Sequence, residues 1–393
     1  MRFRDLTVVD IATLAAAPQI AAFFGDFGAR VIKVEPPRGD ALRGLVDRQG
    51  VALQWKVVNR NKQCVTLDLN KPAGREVLEK ILTRTDLLVC ALNRQRLHRW
   101  ELDTEGLGRR HPRLVVVNLT TYGTSGPWSE RSGSGTLAEA ISGLAAITGP
   151  ADAPPTLSPV GLGDYMGVLQ GIIAALMGLY ARDARRGTGR GELFDVAMYE
   201  PFLGLLAARL AASVRDGVEP GRHGNRFPTM APRNTYVTAD GRWVALTAGT
   251  DALVRKMFQL FGRPELSDDP RFVDHQARLA HTDELDGVIA AWMAHVPATK
   301  SWTPSIKPAS RSPPSMACCR SQPTRTSAPA VISWRSTTWM PANLPSRRRT
   351  RCASTTLAAS STWAAPSGRT TAPCMSTGSA LTMINSPRSR KTA

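Results

Sequence analysis

Short apolar runs alternate with helically spaced ones along the first third of the chain. Leu6-Thr-Val-Val-Asp10 reads as a short buried strand. The run from Pro18 to Phe27 places Ile20, Phe23, Phe24 and Phe27 on one helical face. Gly28-Ala-Arg then turns into a second strand, Val31-Ile-Lys-Val-Glu35, stopped by Pro36-Pro37. Strand, helix, strand within so short a span is a βαβ unit with a right-handed crossover. The pattern repeats with a strand at Cys64–Leu69, a helix at Ala73–Leu82 started by Pro72, and a strand at Asp86–Cys90. A polar helix around Asp103–Arg110 and strands at Leu114–Asn118 and Glu192–Val196 follow. This alternation predicts an α/β fold, a doubly wound, Rossmann-like parallel sheet, over residues 1–215.

The longest apolar stretch runs from about Tyr165 to Ala181. It is apolar or small nearly all round, which predicts a helix buried on every side. With about 17 residues, Gln170 inside and Asp164 at its edge, it is at the lower limit for a membrane span, and a core helix is the better reading. Asp164 follows Gly161-Leu-Gly163 at the amino end. The ordinary reading of an Asp there is an N-cap. A helix amino end also favours an ionised carboxylate. Gly187-Thr-Gly-Arg-Gly191 resembles a phosphate cradle but lies between a helix and a strand, where such loops serve as tight turns. Residues 216–299 read as a smaller α+β domain. It has a hairpin, Tyr236–Leu246, turning at Asp240-Gly241, and helices at Asp251–Phe261 and Thr282–His295.

Charge changes the picture at the carboxyl end. The chain of 393 residues carries 50 Lys+Arg and 32 Asp+Glu. Residues 300–393 hold 14 of those cations and no acid, which leaves 36 against 32, or +4, for residues 1–299. The body is therefore an ordinary globular protein, and only the tail is strongly basic. Ser, Thr, Pro and Arg dominate the tail without any sustained period, the composition of a segment that does not fold by itself. Four of the six cysteines lie there too. Cys64 and Cys90 sit in apolar strands as small core residues, and no metal-ligand spacing emerges. No Gly-x-Gly-x-x-Gly follows the first strand, and no phosphate loop ends in Gly-Lys-Ser or Gly-Lys-Thr, which argues against a dinucleotide or nucleotide cofactor. Met1-Arg-Phe-Arg-Asp-Leu runs directly into a strand without a targeting pattern, so a cytoplasmic location is expected.

A succession of motifs carries a resemblance. Gly28-Ala-Arg-Val-Ile-Lys-Val-Glu-Pro-Pro37, Gly39-Asp-Ala-Leu-Arg-Gly44 and Asn59-Arg-Asn-Lys-Gln-Cys-Val-Thr-Leu-Asp-Leu69 come first. Tyr122-Gly-Thr-Ser-Gly-Pro127, Ser142-Gly-Leu-Ala-Ala-Ile-Thr-Gly149, Arg186-Gly-Thr-Gly-Arg-Gly191 and Ala231-Pro-Arg-Asn-Thr-Tyr236 continue in the same order. Together they resemble the family III coenzyme A transferases, the group that includes formyl-CoA and carnitine CoA-transferases and the α-methylacyl-CoA racemases. The likeness runs from about residue 3 to residue 299.

The resemblance implies that Asp164 is a catalytic nucleophile. It would attack an acyl-CoA thioester to form an acyl anhydride and pass CoA to a free carboxylic acid by way of an aspartyl thioester. It also implies CoA-binding roles for Leu14, Leu67 and Arg99, with Arg43 and Lys62 as nearby cations. The ordinary reading of each cation is a solvated surface charge. CoA is then a substrate, no cofactor or metal is expected, and the partners are an acyl-CoA, a carboxylic acid and a second copy of the chain in an interlocked homodimer. No membrane partner is expected.

Departures from the family pattern accompany the likeness. Ala15 stands where formyl-CoA enzymes carry a glutamine, and Gly135 where they carry a glutamate. Cys90-Ala-Leu-Asn-Arg-Gln95 replaces a CoA-contacting Glu-Asn-Phe run, and Ser134-Gly135 replaces the His-Asp of the racemases. Racemisation needs two proton carriers, so it is disfavoured. Glu139 is the one candidate acid/base nearby, and a structural role is the simpler reading for it.

In the family, the chain beyond residue 299 would return to complete the large domain. The acid-free tail reads instead as out-of-frame sequence, and the other two reading frames of the encoding nucleotides test this directly. Without a return segment the chain loses buried apolar area and is expected to aggregate unless residues 300–393 fold. Three functions follow: a CoA transferase acting through Asp164, a non-catalytic or crippled CoA-ester binder, and a nucleic-acid binder acting through the tail around Arg347-Arg-Arg349. The slight interleaving of aromatic residues argues against the third.

Overall fold

The computed structural model describes residues 2–298, so the expectations for the tail at 300–393 fall outside the described residues. The amino-terminal part alternates β1 (Thr7–Asp10), α1 (Ala17–Asp26), β2 (Arg30–Glu35), α2 (Leu53–Val58), β3 (Lys62–Thr66), α3 (Pro72–Leu82) and β4 (Leu87–Cys90). Next come α4 (Arg94–Arg99), α5 (Thr104–Arg110), β5 (Val115–Thr120), α6 (Gly135–Ile141), α7 (Leu144–Ile147), α8 (Leu162–Asp183), β6 (Leu193–Ala197) and α9 (Glu200–Asp216). The six strands form one parallel sheet in the order β3-β2-β1-β4-β5-β6.

Strand periodicity explains why both faces are covered. Val8, Leu87, Val89, Val115 and Val117 point to the side packed by α1 and α8. Their alternates Val9, Leu88, Cys90 and Val116 join Leu78, Leu82, Leu97 and Leu107 on the other side. The strands therefore read as continuous apolar runs. Connections from β1 and β4, which are neighbours in the sheet, leave their carboxyl ends in opposite directions, and this opens the crevice where open α/β sheets bind ligands.

The structure corrects the expectation that the long helix is buried all round. α8 buries Gly163 against α6 and turns Gly167, Gly171, Ala174, Ala175 and Gly178 inward. A Cβ on Gly171 would lie 2.4 Å from Ile20 Cδ1, so a larger residue there would force the Ile20 side chain to move. The opposite face, Tyr165, Leu169, Ile173, Met177 and Tyr180, is exposed, with Tyr180 76% accessible. Hydropathy alone cannot separate the faces because both are apolar; residue volume separates them. By length and composition, α8 is the one helix among the described residues that could cross a membrane.

A separate apolar core is drawn wholly from residues between Ala231 and Ala298, with Phe258, Phe272, Leu285 and Ile289 at its centre. It packs the antiparallel hairpin β7 (Arg233–Val237) and β8 (Trp243–Thr247) against α10 (Asp251–Leu260), α11 (His275–Ala280) and α12 (Thr282–Met293). Gly241, at φ +69°, makes the turn that Asp240-Gly241 predicts. Asp286 ties this unit together, accepting from Tyr236 Oη at 2.5 Å, Asn234 Nδ2 at 2.7 Å and Arg226 Nε at 2.7 Å.

Candidate active site

The loops at the carboxyl edge of the sheet carry most of the residues singled out by sequence. Leu14 follows β1. It is half exposed and holds φ +65°, a left-handed conformation that a branched side chain rarely adopts. Its N–H lies 3.4 Å from Asp40 Oδ1. Leu67 follows β3 directly and is partly buried against the apolar layer under α3 to α5. Arg99 closes α4 and is exposed.

The two remaining cations behave differently. Arg43 lies beyond β2 with its guanidinium 3.7 Å from the ring centre of Trp55, and it grips Glu35 at 2.8 to 3.1 Å, while Trp55 Nε1 donates to the same carboxylate. Its charge is thus already balanced by a buried acid. Lys62 is corrected more sharply: it is no surface cation. Its side chain is fully buried, donating to Asp10 Oδ2 at 2.8 Å, Pro18 O at 2.6 Å and Asn59 Oδ1 at 3.0 Å. Burial holds the Lys62 ammonium down to about 8, and Lys33 and Lys62 together hold Asp10 below the usual carboxylate range against the opposing pull of its own burial. Lys33 completes the group, 3.4 Å from both Asp10 and Asp40 and bonded to Ala12 O. Two cations and two carboxylates thereby pin the Ile11–Ala16 loop that presents Leu14. Lysine inside the apolar strand Val31-Ile-Lys-Val34 was the available signal for this network; its partners lie too far away in sequence for spacing to reveal them.

Asp164 sits in the first turn of α8, but Gly161 occupies the N-cap position and the carboxylate does not cap its own helix. Its Oδ1 instead accepts from Gly135 N at 3.2 Å, the first residue of α6. Burial and a neighbouring charge work against the pull of the helix amino end on the ionised form. Burial pushes the Asp164 carboxyl above its ordinary range, the Gly135 N–H pulls it partly back, and the nearby Glu139 carboxylate pushes it up again. Oδ2 accepts no hydrogen bond within the described residues.

Glu139 is buried on α6 and reaches across to α8, accepting from Gly163 N at 3.2 Å and from Ser158 N at 3.1 Å. Both oxygens are engaged, an arrangement of a structural carboxylate and not of a free acid/base. The helices touch backbone to backbone. A Cβ on Gly163 would lie 2.1 Å from Gly135 O, and one on Gly135 would lie 2.3 Å from Asp164 N. The glycine at position 135 is thus a condition of this close crossing, which the sequence showed only as the loss of a polar side chain.

His111 is buried against Glu79 at 2.6 Å and belongs to the α3–α5 layer. Cys64 and Cys90 are buried. Among the described residues no group of three or more His, Cys, Asp and Glu is placed to hold a metal ion. A surface cleft of about 590 Å³ is lined by Arg94, His98, Asp103, Glu105 and Glu130 among others, and by none of the candidate residues above.

The sheet order and the crevice at its carboxyl edge define a doubly wound α/β protein, with a half-buried carboxylate, Asp164, in the first turn of a core helix. Comparison with known proteins gives the family. The family model described as CoA-transferase family III matches residues 3–308. The chain is 37% identical over 291 residues to succinyl-CoA–D-citramalate CoA-transferase of Chloroflexus aurantiacus, covering 73% of this chain and 72% of that one. It is 31% identical to acetyl-CoA:oxalate CoA-transferase of Acetobacter aceti, covering 75% and 76%. Among solved structures, a CAIB/BAIF family protein from Brucella suis superposes with a TM-score of 0.63 at 30% identity, covering 74% of this chain and 78% of that one. The chain belongs to CoA-transferase family III. Its activity is the transfer of CoA between an acyl-CoA and a carboxylic acid.

Proposed function

We propose that the chain moves CoA from succinyl-CoA to a second dicarboxylic acid through covalent intermediates on Asp164. The observation that carries the mechanism is the division of labour in that carboxylate: Oδ1 is held by Gly135 N–H, and Oδ2 is unpaired. Oδ2 attacks the thioester carbonyl, the C–S bond breaks, and CoA leaves as thiolate, giving a mixed anhydride. The thiolate then adds to Asp164 Cγ, expelling succinate and leaving an aspartyl thioester. Charge in that addition develops on Oδ1, already under the Gly135 N–H, as oxyanion stabilisation requires. The acceptor carboxylate repeats the sequence in reverse through a second anhydride. A carboxylate suits this work because its anhydride is as activated as the thioester it replaces.

The substrate class is drawn from the relatives. Besides the citramalate enzyme, the chain is 36% identical to the succinyl-CoA–L-malate CoA-transferase beta subunit of Chloroflexus aurantiacus. With a panel of acyl-CoA donors and carboxylic acceptors, succinyl-CoA paired with a branched or hydroxylated dicarboxylate should give the highest kcat/KM. Faster exchange between acetyl-CoA and a monocarboxylate would overturn this assignment.

Leu14 and Leu67 are read as apolar walls for CoA and Arg99 as its phosphate contact. Strained backbone at Leu14, held by the buried charge network, is typical of a ligand-facing loop. Arg43, already paired with Glu35, is left as a flanking contact through its exposed edge. Glu139 with both oxygens engaged, and no side chain at position 135, speaks against two-base racemisation.

The chain is further read as a cytoplasmic homodimer with domains at 1–215 and 216–299, and residues 300–393 as out-of-frame sequence; the family match stops at 308. The exposed stripe on α8 supports association, since contiguous large apolar side chains rarely stay in water. With an in-frame tail restored, sedimentation should give a dimer, and Met177→Glu, which sets a charge in the middle of that stripe, should shift it toward monomer. A wild-type monomer would refute the assembly.

A further inference from the structure

α6 and α8 exchange carboxylates across their point of contact. Asp164, on α8, accepts from Gly135 N at the start of α6, and Glu139, on α6, accepts from Gly163 N at the start of α8. Each helix thus satisfies a first-turn N–H that its own backbone leaves without a partner. Glu139 spends its second oxygen on Ser158 N, which ties down the segment entering α8. Such a crossing tolerates almost no slack, because the two chains meet through Gly135 and Gly163 at distances a Cβ would violate.

We propose that Glu139 is a positioning residue for CoA transfer: by holding Gly163 N–H and Ser158 N–H it fixes the turn that carries Asp164, so that nucleophile and oxyanion donor keep their mutual geometry through both anhydride steps. This rests on Asp164 being the nucleophile. The buried Glu139 carboxylate also bears directly on Asp164, because it is the charged neighbour that pushes the Asp164 carboxyl upward, beyond the effect of burial. Among the described residues Glu139 is the one charged group that acts on the Asp164 carboxyl, and Gly135 and Gly161 pack closely against it.

Glu139 therefore acts in two separable ways, by its bonds and by its charge. Glu139→Gln removes the charge and keeps one accepting oxygen, whereas Glu139→Asp keeps the charge and shortens the reach. The measurement is the pH dependence of kcat/KM for CoA exchange in wild type, both variants and Asp164→Asn. Wild-type activity should fall on the acid side as Asp164 takes up a proton, at a pH above that of an ordinary aspartate. Glu139→Gln should move this acid limb to lower pH and Glu139→Asp should leave it in place. Both should lower plateau kcat by roughly 10- to 100-fold, the order expected when a reacting group is misplaced by about 1 Å, with KM for acyl-CoA nearly unchanged.

An inactive Asp164→Asn together with an undiminished plateau kcat in both Glu139 variants overturns the positioning role while leaving the nucleophile intact, and an unmoved acid limb in Glu139→Gln overturns the effect of its charge. Near wild-type exchange by Asp164→Asn removes the nucleophile instead, and the inference with it. Should the Glu139 variants fail to fold, amide hydrogen exchange in the wild-type protein supplies the second measurement. The Ser158 and Gly163 N–H groups, both held by Glu139, should exchange slowly, and exchange at the rate of an open loop would overturn the proposal.

Discussion

Asp164→Asn should abolish CoA exchange, by about 10⁴-fold or more, while the protein remains as stable as wild type or becomes more so. The loss follows because an amide oxygen cannot form the anhydride, and removing a covalent nucleophile costs on this order. Retained stability follows from the geometry. Asparagine keeps an oxygen for Gly135 N–H, so the contact between α6 and α8 survives. The linkage sign agrees. Asp164 has a folded pKa above its unfolded value, so the folded protein binds the extra proton and stability falls as pH rises through that window. At neutral pH the ionised carboxylate therefore costs stability, and a neutral isostere relieves that cost. Labelled CoA exchange and a thermal melt, both at pH 7 on the chain with an in-frame tail restored, test the pair of outcomes. An active Asp164→Asn would reduce Asp164 to a cap for α6. An inactive variant that had also lost its melt would leave the loss of activity to misfolding.

Lys62→Met should destabilise the fold by roughly 3–5 kcal/mol, the usual result of removing one partner from a buried ion pair. For a unit of this size that is a fall in Tm on the order of 10 °C. The cost arises mainly at Asp10. Its carboxylate would keep the Ala12 N–H and Lys33, the latter shared with Asp40 at 3.4 Å, while Pro18 O and Asn59 Oδ1 would lose the Lys62 donor. Burial already works against the Lys62 ammonium, which offsets part of the loss. A phosphate-binding lysine behaves in the opposite way, raising KM for acyl-CoA on removal and leaving Tm unchanged. Tm and KM measured on the same variant distinguish the two. An unchanged melt with a raised KM would return Lys62 to the CoA site.

Element type was legible where one periodicity dominated. The strands of the sheet are buried on both faces and so read as unbroken apolar runs, and the hairpin announced itself through Asp240-Gly241. Boundaries were less secure. β3 begins at Lys62 and ends at Thr66, two residues before the Cys64 and three before the Leu69 read from hydropathy, because pairing with β2 ends opposite Glu35 while the apolar alternation continues into Leu67 and Leu69. α9 escaped prediction: only Phe202 and Leu206 on it are fully buried, so it has no apolar stripe of the expected width.

By itself the sequence determined the class of fold, the family and the place of Asp164 at the amino end of a helix, because each depends on residue types at short separations. Only the tertiary structure decided what those residues do. Asp164 and Gly135 are 29 positions apart, Glu139 and Gly163 are 24, and Lys62 and Asp10 are 52. Lys62 and Arg99 look alike in sequence, yet one is sealed in a charge network and the other faces water. The physical reason is that the state of a charge depends on which partners the fold brings within about 3–4 Å and on how much water it removes around them, and neither quantity has a period along the chain.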